Sequence, residues 1–185
     1  MKKQKARDRI LDTTKRLFYK QGYNSTGINQ IIEEADVAKS TLFQHFSTKK
    51  ELCSTYLEEL TEEYVSKHLE LIADDLSVRM KITKIYERLR NDVIKNEFRG
   101  CHFHNLISEI SNDDKELLPI IKKNKESTRN LFHQLLDEAT DSSFADFAFV
   151  LYEGAIIQSQ VQQDVWPIDN ALEMMIKLLK QYGQE

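Results

Sequence analysis

The sequence predicts an all-α protein of about nine helices, beginning with a three-helix head that contains a helix-turn-helix. Three observations predict it. Gly (5) and Pro (2) are scarce among 185 residues, so little interrupts a helix. Apolar residues recur at i, i+3 and i+4 along most of the chain. Helix stop and start signals then cut that pattern into segments of ordinary helical length.

The elements follow in order. The first helix is expected over Lys5 to Gln21, with Ile10, Thr14, Leu17 and Phe18 on one face, Leu11 and Ala6 beside it, and Gly22 as its stop. Ser25 or Thr26 is expected to cap a second helix, Gly27 to Ala35, that buries Ile28, Ile31 and Ile32. A tight corner at Ala35-Asp36-Val37-Ala38 leads to a third helix, Lys39 to Phe46. Ser47 or Thr48 caps the fourth, and Thr48 with Glu51 has the spacing of a capping box. The fourth helix runs from Lys49 to about Ala73, with Leu52, Tyr56, Leu60, Tyr64 and His68 as a stripe and Leu57, Leu69 and Ile72 beside it. Ser77 to Phe98 reads as the fifth, with Ile82, Ile85, Tyr86, Leu89 and Val93 inward and Gly100 as its stop. Cys101 to Ile110 is a short sixth helix. Lys115 to Thr140 is the seventh, with Pro119 tolerated near its start and Leu131, Phe132, Leu135, Leu136 and Ala139 on its core face. Asp141-Ser142-Ser143 caps an eighth, Phe144 to about Gln163, and Pro167 opens a ninth that runs to Tyr182. The best domain boundary falls near residue 50, giving domains 1–50 and 51–185 that share the fourth helix.

The net charge of −4 hides a split. Residues 1–55 carry 11 Lys/Arg against 6 Asp/Glu, a net of +5, and residues 56–185 carry 15 against 24, a net of −9. A basic N-terminal third suits a polyanion partner. The start, MKKQKARDRI, has no apolar stretch of a signal peptide, and no run approaches a membrane span, so a cytoplasmic location without membrane contact is expected. Cys53 and Cys101 match no disulfide or metal spacing, and no cofactor is expected. No nucleophile–base pair, paired-carboxylate site or phosphate loop is recognisable, which argues against an enzyme.

The stretch TGINQIIEEADVAKSTLFQHFSTKKEL, Thr26 to Leu52, carries most of the functional signal. Its second short helix turns Lys39, Ser40, Thr41, Gln44 and His45 outward and anchors itself through Leu42 and Phe46, the build of a helix that enters the DNA major groove. Thr26 and Lys49 stand at helix N-termini, where a phosphate is favoured. Gln44 can pair bidentately with adenine. The pattern Ile10, Leu17-Phe18, Gly22-Tyr23, Thr26, Ile28, Ile31, Ala35, Val37, Lys39, Thr41-Leu42-Phe43, His45-Phe46, Lys49 and Glu51-Leu52 resembles the TetR family of bacterial transcriptional regulators. The resemblance implies DNA contacts from Thr26, Lys39, Ser40, Thr41, Phe43, Gln44, His45 and Lys49. The family commonly has Tyr at the position of Phe43, whose ring lacks the phosphate-binding hydroxyl and offers a sugar or a thymine methyl an apolar contact instead.

The resemblance also implies a C-terminal effector-binding and dimerisation domain, a double-stranded operator, a homodimer and a small-molecule inducer. Tyr64, His68, Tyr86, Leu89, Cys101, Phe103, Phe132, Phe147 and Tyr152 are the candidate ligand contacts. Gly154, Ala155 and Ser159 on the eighth helix and Leu172, Met175 and Leu179 on the ninth are the candidate dimer interface, forming a four-helix bundle with their copies. The Gly100-Cys101 step followed by an apolar stretch and Glu109 resembles the sixth-helix motif of many such regulators. Cys101, near a helix start with Arg99, His102 and His104, offers a thiol-based redox or electrophile sensor as an alternative input. A helical small-molecule binding protein without DNA-binding function is the other alternative.

Overall fold

The computed structural model describes residues 5–73, 75–136 and 142–182, the side chains of Ile72 and Ser142 excepted. Among the described residues there are nine helices and no strand, as the sequence predicts: α1 (Ala6–Gln21), α2 (Ile28–Glu34), α3 (Lys39–His45), α4 (Lys49–Ala73), α5 (Val78–Lys95), α6 (His102–Ile107), α7 (Leu117–Leu136), α8 (Ser142–Gln162) and α9 (Trp166–Gln181). They form two compact units. One comprises residues 1–62 with 102–123, the other residues 63–101 with 124–185.

The first unit is built on α1. Ile10, Leu11, Leu17 and Phe18 are buried, joined by Ile31 of α2, Leu42 of α3 and Leu52, Tyr56 and Leu57 of α4. Phe18 meets the edges of Tyr23 and Tyr56, with ring centroids 5.2 and 6.0 Å away. Gly22 stops α1 as expected. Its φ of +98° suits glycine, and its N–H bonds the carbonyl of Phe18 at 3.1 Å. A second demand acts there, because a Cβ on Gly22 would stand 2.8 Å from the Glu109 carboxylate. That carboxylate accepts the N–H groups of Tyr23 and Asn24 at 3.1 and 2.7 Å and so ties the loop after α1 to the segment after α6.

The cap of α2 differs from expectation. Gly27 is its N-cap, with no side-chain bond, and Thr26 turns backward to donate its hydroxyl to the Gly22 carbonyl at 2.7 Å. Of the three isoleucines of α2, only Ile31 is fully buried; Ile28 and Ile32 are half-buried because a seven-residue helix offers its neighbours one narrow stripe. The corner after α2 requires a positive φ at Asp36 (51°), a residue that tolerates the left-handed region. Arg9 of α1 braces this corner, donating to the carbonyls of Ala35 (3.0 Å) and Asp36 (2.8 Å). At the start of α4, Thr48 accepts the Glu51 N–H at 3.0 Å while Glu51 reaches back to the N–H of Ser47 at 2.7 Å. The reciprocal cap therefore forms with its return bond one residue earlier than the usual pattern.

The second unit has one continuous apolar core. Ile82, Ile85, Tyr86, Leu89 and Val93 of α5 pack with Leu131, Phe132, Leu135 and Leu136 of α7, Ala145, Ala148 and Ile156 of α8, and Ile168, Ala171, Met175 and Leu179 of α9. Ser77 caps α5, accepting the Met80 N–H at 3.3 Å. The helix ends at Lys95 rather than running to Phe98, because Glu97 and Phe98 take φ of 51° and 54° and their N–H groups turn back to Ile94 and Val93. Leu69, expected beside the α4 stripe, is exposed. The side chain of Ile72, Ala139 and Asp141 lie outside the described residues.

Candidate functional site

The first unit presents α3 to solvent. Leu42 is fully buried and Phe46 nearly so, which fixes the opposite face outward. That face carries Lys39, Ser40, Phe43 and Gln44, spaced i, i+1, i+4 and i+5, all exposed. Phe43 is 42% exposed, a large apolar side chain on an otherwise polar face. Thr41 is half-buried, and His45 is exposed with its ring 6.3 Å from that of Phe46.

Two predicted phosphate ligands stand differently. Thr26 is 0% exposed and its hydroxyl bonds Gly22, so that hydroxyl cannot reach a phosphate and Thr26 is a structural residue of the loop. The small oxygen at this position satisfies a buried carbonyl, a need the sequence did not reveal. Lys49 is half-buried with its Nζ 4.4 Å from the centroid of the Tyr23 ring, a cation–π contact. Burial holds its pKa below the ordinary lysine value, against the raising effect of Cys53 and Glu109. Its neighbour Lys50 is committed to Asp114 at 2.8 Å, and Asp114 also accepts the N–H groups of Glu116 and Leu117 at the start of α7. Arg9, which holds the corner, was not singled out by sequence reasoning, and Tyr23 entered only as part of the family pattern, without its contact to the Lys49 ammonium; both contacts lie at spacings a sequence pattern does not couple.

The second unit contains a cavity of about 300 Å³ between α4, α5, α7 and α8. Five of the nine predicted ligand contacts line it: Tyr64, His68, Leu89, Phe132 and Tyr152. Its aromatic wall is continuous, with Tyr152 5.5 Å from Phe132 and 5.8 Å from Tyr86, centroid to centroid. Burial and the charge of Arg88 lower the His68 pKa to about 4, so the imidazole is neutral at physiological pH. Burial raises the phenols of Tyr86 and Tyr152 above their ordinary range. The cavity also gathers Lys67, Lys84, Arg88, Glu70 and Asp92 at its edges, none of which stood out in sequence.

The other four predicted contacts lie elsewhere. Tyr86 is fully buried core behind the aromatic wall, and its hydroxyl has no hydrogen-bond partner among the described residues. Phe103 is fully buried in α6, in the first unit. Phe147 is 44% exposed on α8, stacked on Phe144 with centroids 6.0 Å apart. Cys101 does not line the cavity. Its sulfur lies 3.6 Å from the Nζ of Lys125, which pairs with Glu153 at 2.6 Å. Burial pulls the Lys125 pKa down, but Cys101 and Glu153 outweigh it and the net shift is upward. Burial pushes the Cys53 thiol to about 12, so Cys53 behaves as an inert core residue.

The predicted dimer residues divide between the core and the surface. Ala155, Ser159, Met175 and Leu179 are buried within the single chain, and Leu172 packs against its core, so they hold the unit together. Gly154 is exposed, with open space where a Cβ would be. On the same side of α8 lie Phe147, Val150, Ile157 and Val161, spaced with Gly154 at alternating steps of three and four and 44–66% exposed. Sequence periodicity could not choose between the faces, because α8 is apolar nearly all round.

A three-helix head with a braced corner and an outward-facing third helix defines a helix-turn-helix protein. The sequence profile described as "Bacterial regulatory proteins, tetR family" matches residues 10–54. A similar protein from Lactococcus lactis subsp. lactis, an uncharacterized HTH-type transcriptional regulator in the lacX 3′ region, is 27% identical, covering 94% of this chain and 91% of that one. The HTH-type transcriptional repressor NemR of Escherichia coli strain K12 is 21% identical over 90% of this chain and 89% of its own. Among solved structures, a TetR-family transcriptional regulator from Streptomyces coelicolor has the same fold, with a TM-score of 0.82 and 22% identity, covering 96% of this chain and 93% of that one. Residues 10–54 thus carry the TetR-family signature, and along most of its length the chain is similar to HTH-type transcriptional regulators.

Proposed function

We propose that this protein is a ligand-responsive transcriptional repressor that binds a pseudo-palindromic operator as a homodimer and leaves it when a small-molecule inducer binds. The observation that carries the reading is the outward face of α3, Lys39, Ser40, Phe43 and Gln44, held on a buried Leu42–Phe46 anchor. Residues 1–50 serve as the DNA-binding domain and residues 51–185 as the effector-binding and dimerisation domain. Thr41, His45 and Lys49 flank the reading face and supply backbone contacts. One such head has a small interface, and operators with two half-sites need two heads. The exposed α8 stripe from Phe147 to Val161 supports the pairing, since an apolar seam of this kind is stable only when covered, and Gly154 admits a close second helix. We place its work in the cytoplasm, where bacterial DNA is; no described helix is long and apolar enough to cross a membrane.

The inducer acts by differential affinity for two arrangements of the heads, a coupling of about 1–3 kcal/mol in typical cases. Genomic footprinting with the purified protein tests the reading. Two protected half-sites about one helical turn apart are expected, with a size-exclusion mass of two chains. Absence of any protected sequence would overturn the DNA-binding reading, and a one-chain mass on bound DNA would overturn the dimer.

A further inference from the structure

The cavity of the second unit has a chemical bias. Its inner wall is aromatic, formed by Phe132 and Tyr152 with Leu89 beside them. Flat rings stack on or meet such a wall edge-on, so an aromatic occupant is favoured over an aliphatic one. Its rim carries Lys67, Lys84 and Arg88 beside Glu70 and Asp92, and Lys67 is paired with Glu63, so the guanidinium of Arg88 is the deciding cation. Arg88 lies 3.8 Å from Asp92, a loose contact on an exposed helix surface that an entering anion can replace. The field of Arg88 reaches the cavity interior, because it helps hold His68 in its neutral form.

Two occupants compete on these grounds. An aromatic cation would gain from the phenol and phenyl faces, but it would enter beside the Arg88 guanidinium at the rim. An aromatic anion keeps the stacking and gains a planar guanidinium, whose paired donors match a carboxylate.

We infer that the effector cavity takes an aromatic monoanion, its ring against Phe132 and Tyr152 and its carboxylate or equivalent acid at Arg88. The inference rests on the cavity being the effector site. It adds the ligand's charge and shape to that reading.

The test uses three probes with one ring system: 2-naphthoate, 2-naphthalenemethanol and 2-naphthylmethylammonium, titrated by calorimetry into the full-length protein. Naphthoate is expected to bind about tenfold more tightly than the alcohol, as for one charge-assisted bond in place of a neutral one. The ammonium is expected to bind more weakly than the alcohol. Arg88→Met is expected to erase the preference for naphthoate while leaving alcohol binding unchanged, and Arg88→Lys to restore part of it. Equal or tighter binding of the ammonium overturns the proposal, as does an anion preference that survives Arg88→Met. If the alcohol or the ammonium binds best, the cavity remains an effector site and only the anion assignment falls. If none of the three binds, both fall, while DNA binding by the head is measured separately and stands on its own.

Discussion

Glu109 gives a quantitative handle on how the head is held. It lies after α6, yet its carboxylate accepts the Tyr23 N–H at 3.1 Å and the Asn24 N–H at 2.7 Å, and its own carbonyl accepts from the Asn24 side chain at 2.9 Å. Glu109→Ala removes the first two bonds and keeps the third. A hydrogen bond to a charged group contributes about 1.5–3 kcal/mol when shielded from water. The Tyr23 bond is partly buried and keeps much of that; the Asn24 bond is exposed and water replaces most of it. The loss is therefore about 2 kcal/mol, which is a factor of roughly 30 in the opening equilibrium of the loop. Amide hydrogen exchange followed by NMR reads it directly, at Tyr23 and Asn24. Glu109→Gln retains one acceptor oxygen and should show about half the effect in free energy. Glu109→Ala with unchanged protection at both amides would refute the reasoning, because the carboxylate would then add nothing that water does not.

Three further outcomes follow from the structure. His68 has a folded pKa of about 4 against 6.5 unfolded, so the unfolded chain takes up its proton first as pH falls; stability is complete above about pH 6.5 and declines toward pH 4. Partial solvent access reduces the full linkage value to about 1–2 kcal/mol, and urea unfolding of His68→Gln should show that much less loss across the same window. Val150→Glu or Ile157→Glu places a charge in the exposed α8 seam and should give a monomer in analytical ultracentrifugation, with the far-UV helix signal unchanged. Phe43→Tyr adds a donor to the reading face and should tighten binding about 2- to 10-fold on specific and random DNA alike, measured by fluorescence anisotropy.

The local patterns were readable and the long-range partners were not. Gly22 as a stop, the Thr48–Glu51 cap and the inward row from Ile82 to Val93 all came from spacing within a few residues, and all stand in the structure. Thr26 shows the limit. Its position at the head of α2 suggested a phosphate ligand, but whether a hydroxyl faces water or a buried carbonyl is decided by the loop around it. Most of the expected dimer residues turn out to be buried in the chain for a related reason. A nearly all-apolar α8 has two faces of similar sequence, and the one that carries Ala155 and Ser159 is buried within the chain. The cavity was half visible. Its aromatic members were found by type, while Lys67, Lys84 and Arg88 looked like ordinary solvated helix charges until the fold brought α4 and α5 together around one space.

The central claim is that the outward face of α3 reads DNA, and the salt dependence of operator binding tests it most directly. Lys39 is exposed in the first turn of α3, so Lys39→Ala removes one phosphate contact from each head of a dimer. The slope of log affinity against log salt should fall in magnitude by about 1.8, at about 0.9 per lost contact. Gln44→Ala should instead leave that slope unchanged and lose about 1–3 kcal/mol of discrimination at one base pair in each half-site. A Lys39→Ala protein with the wild-type slope and a Gln44→Ala protein with wild-type sequence preference would together contradict the assignment of α3 as the reading helix.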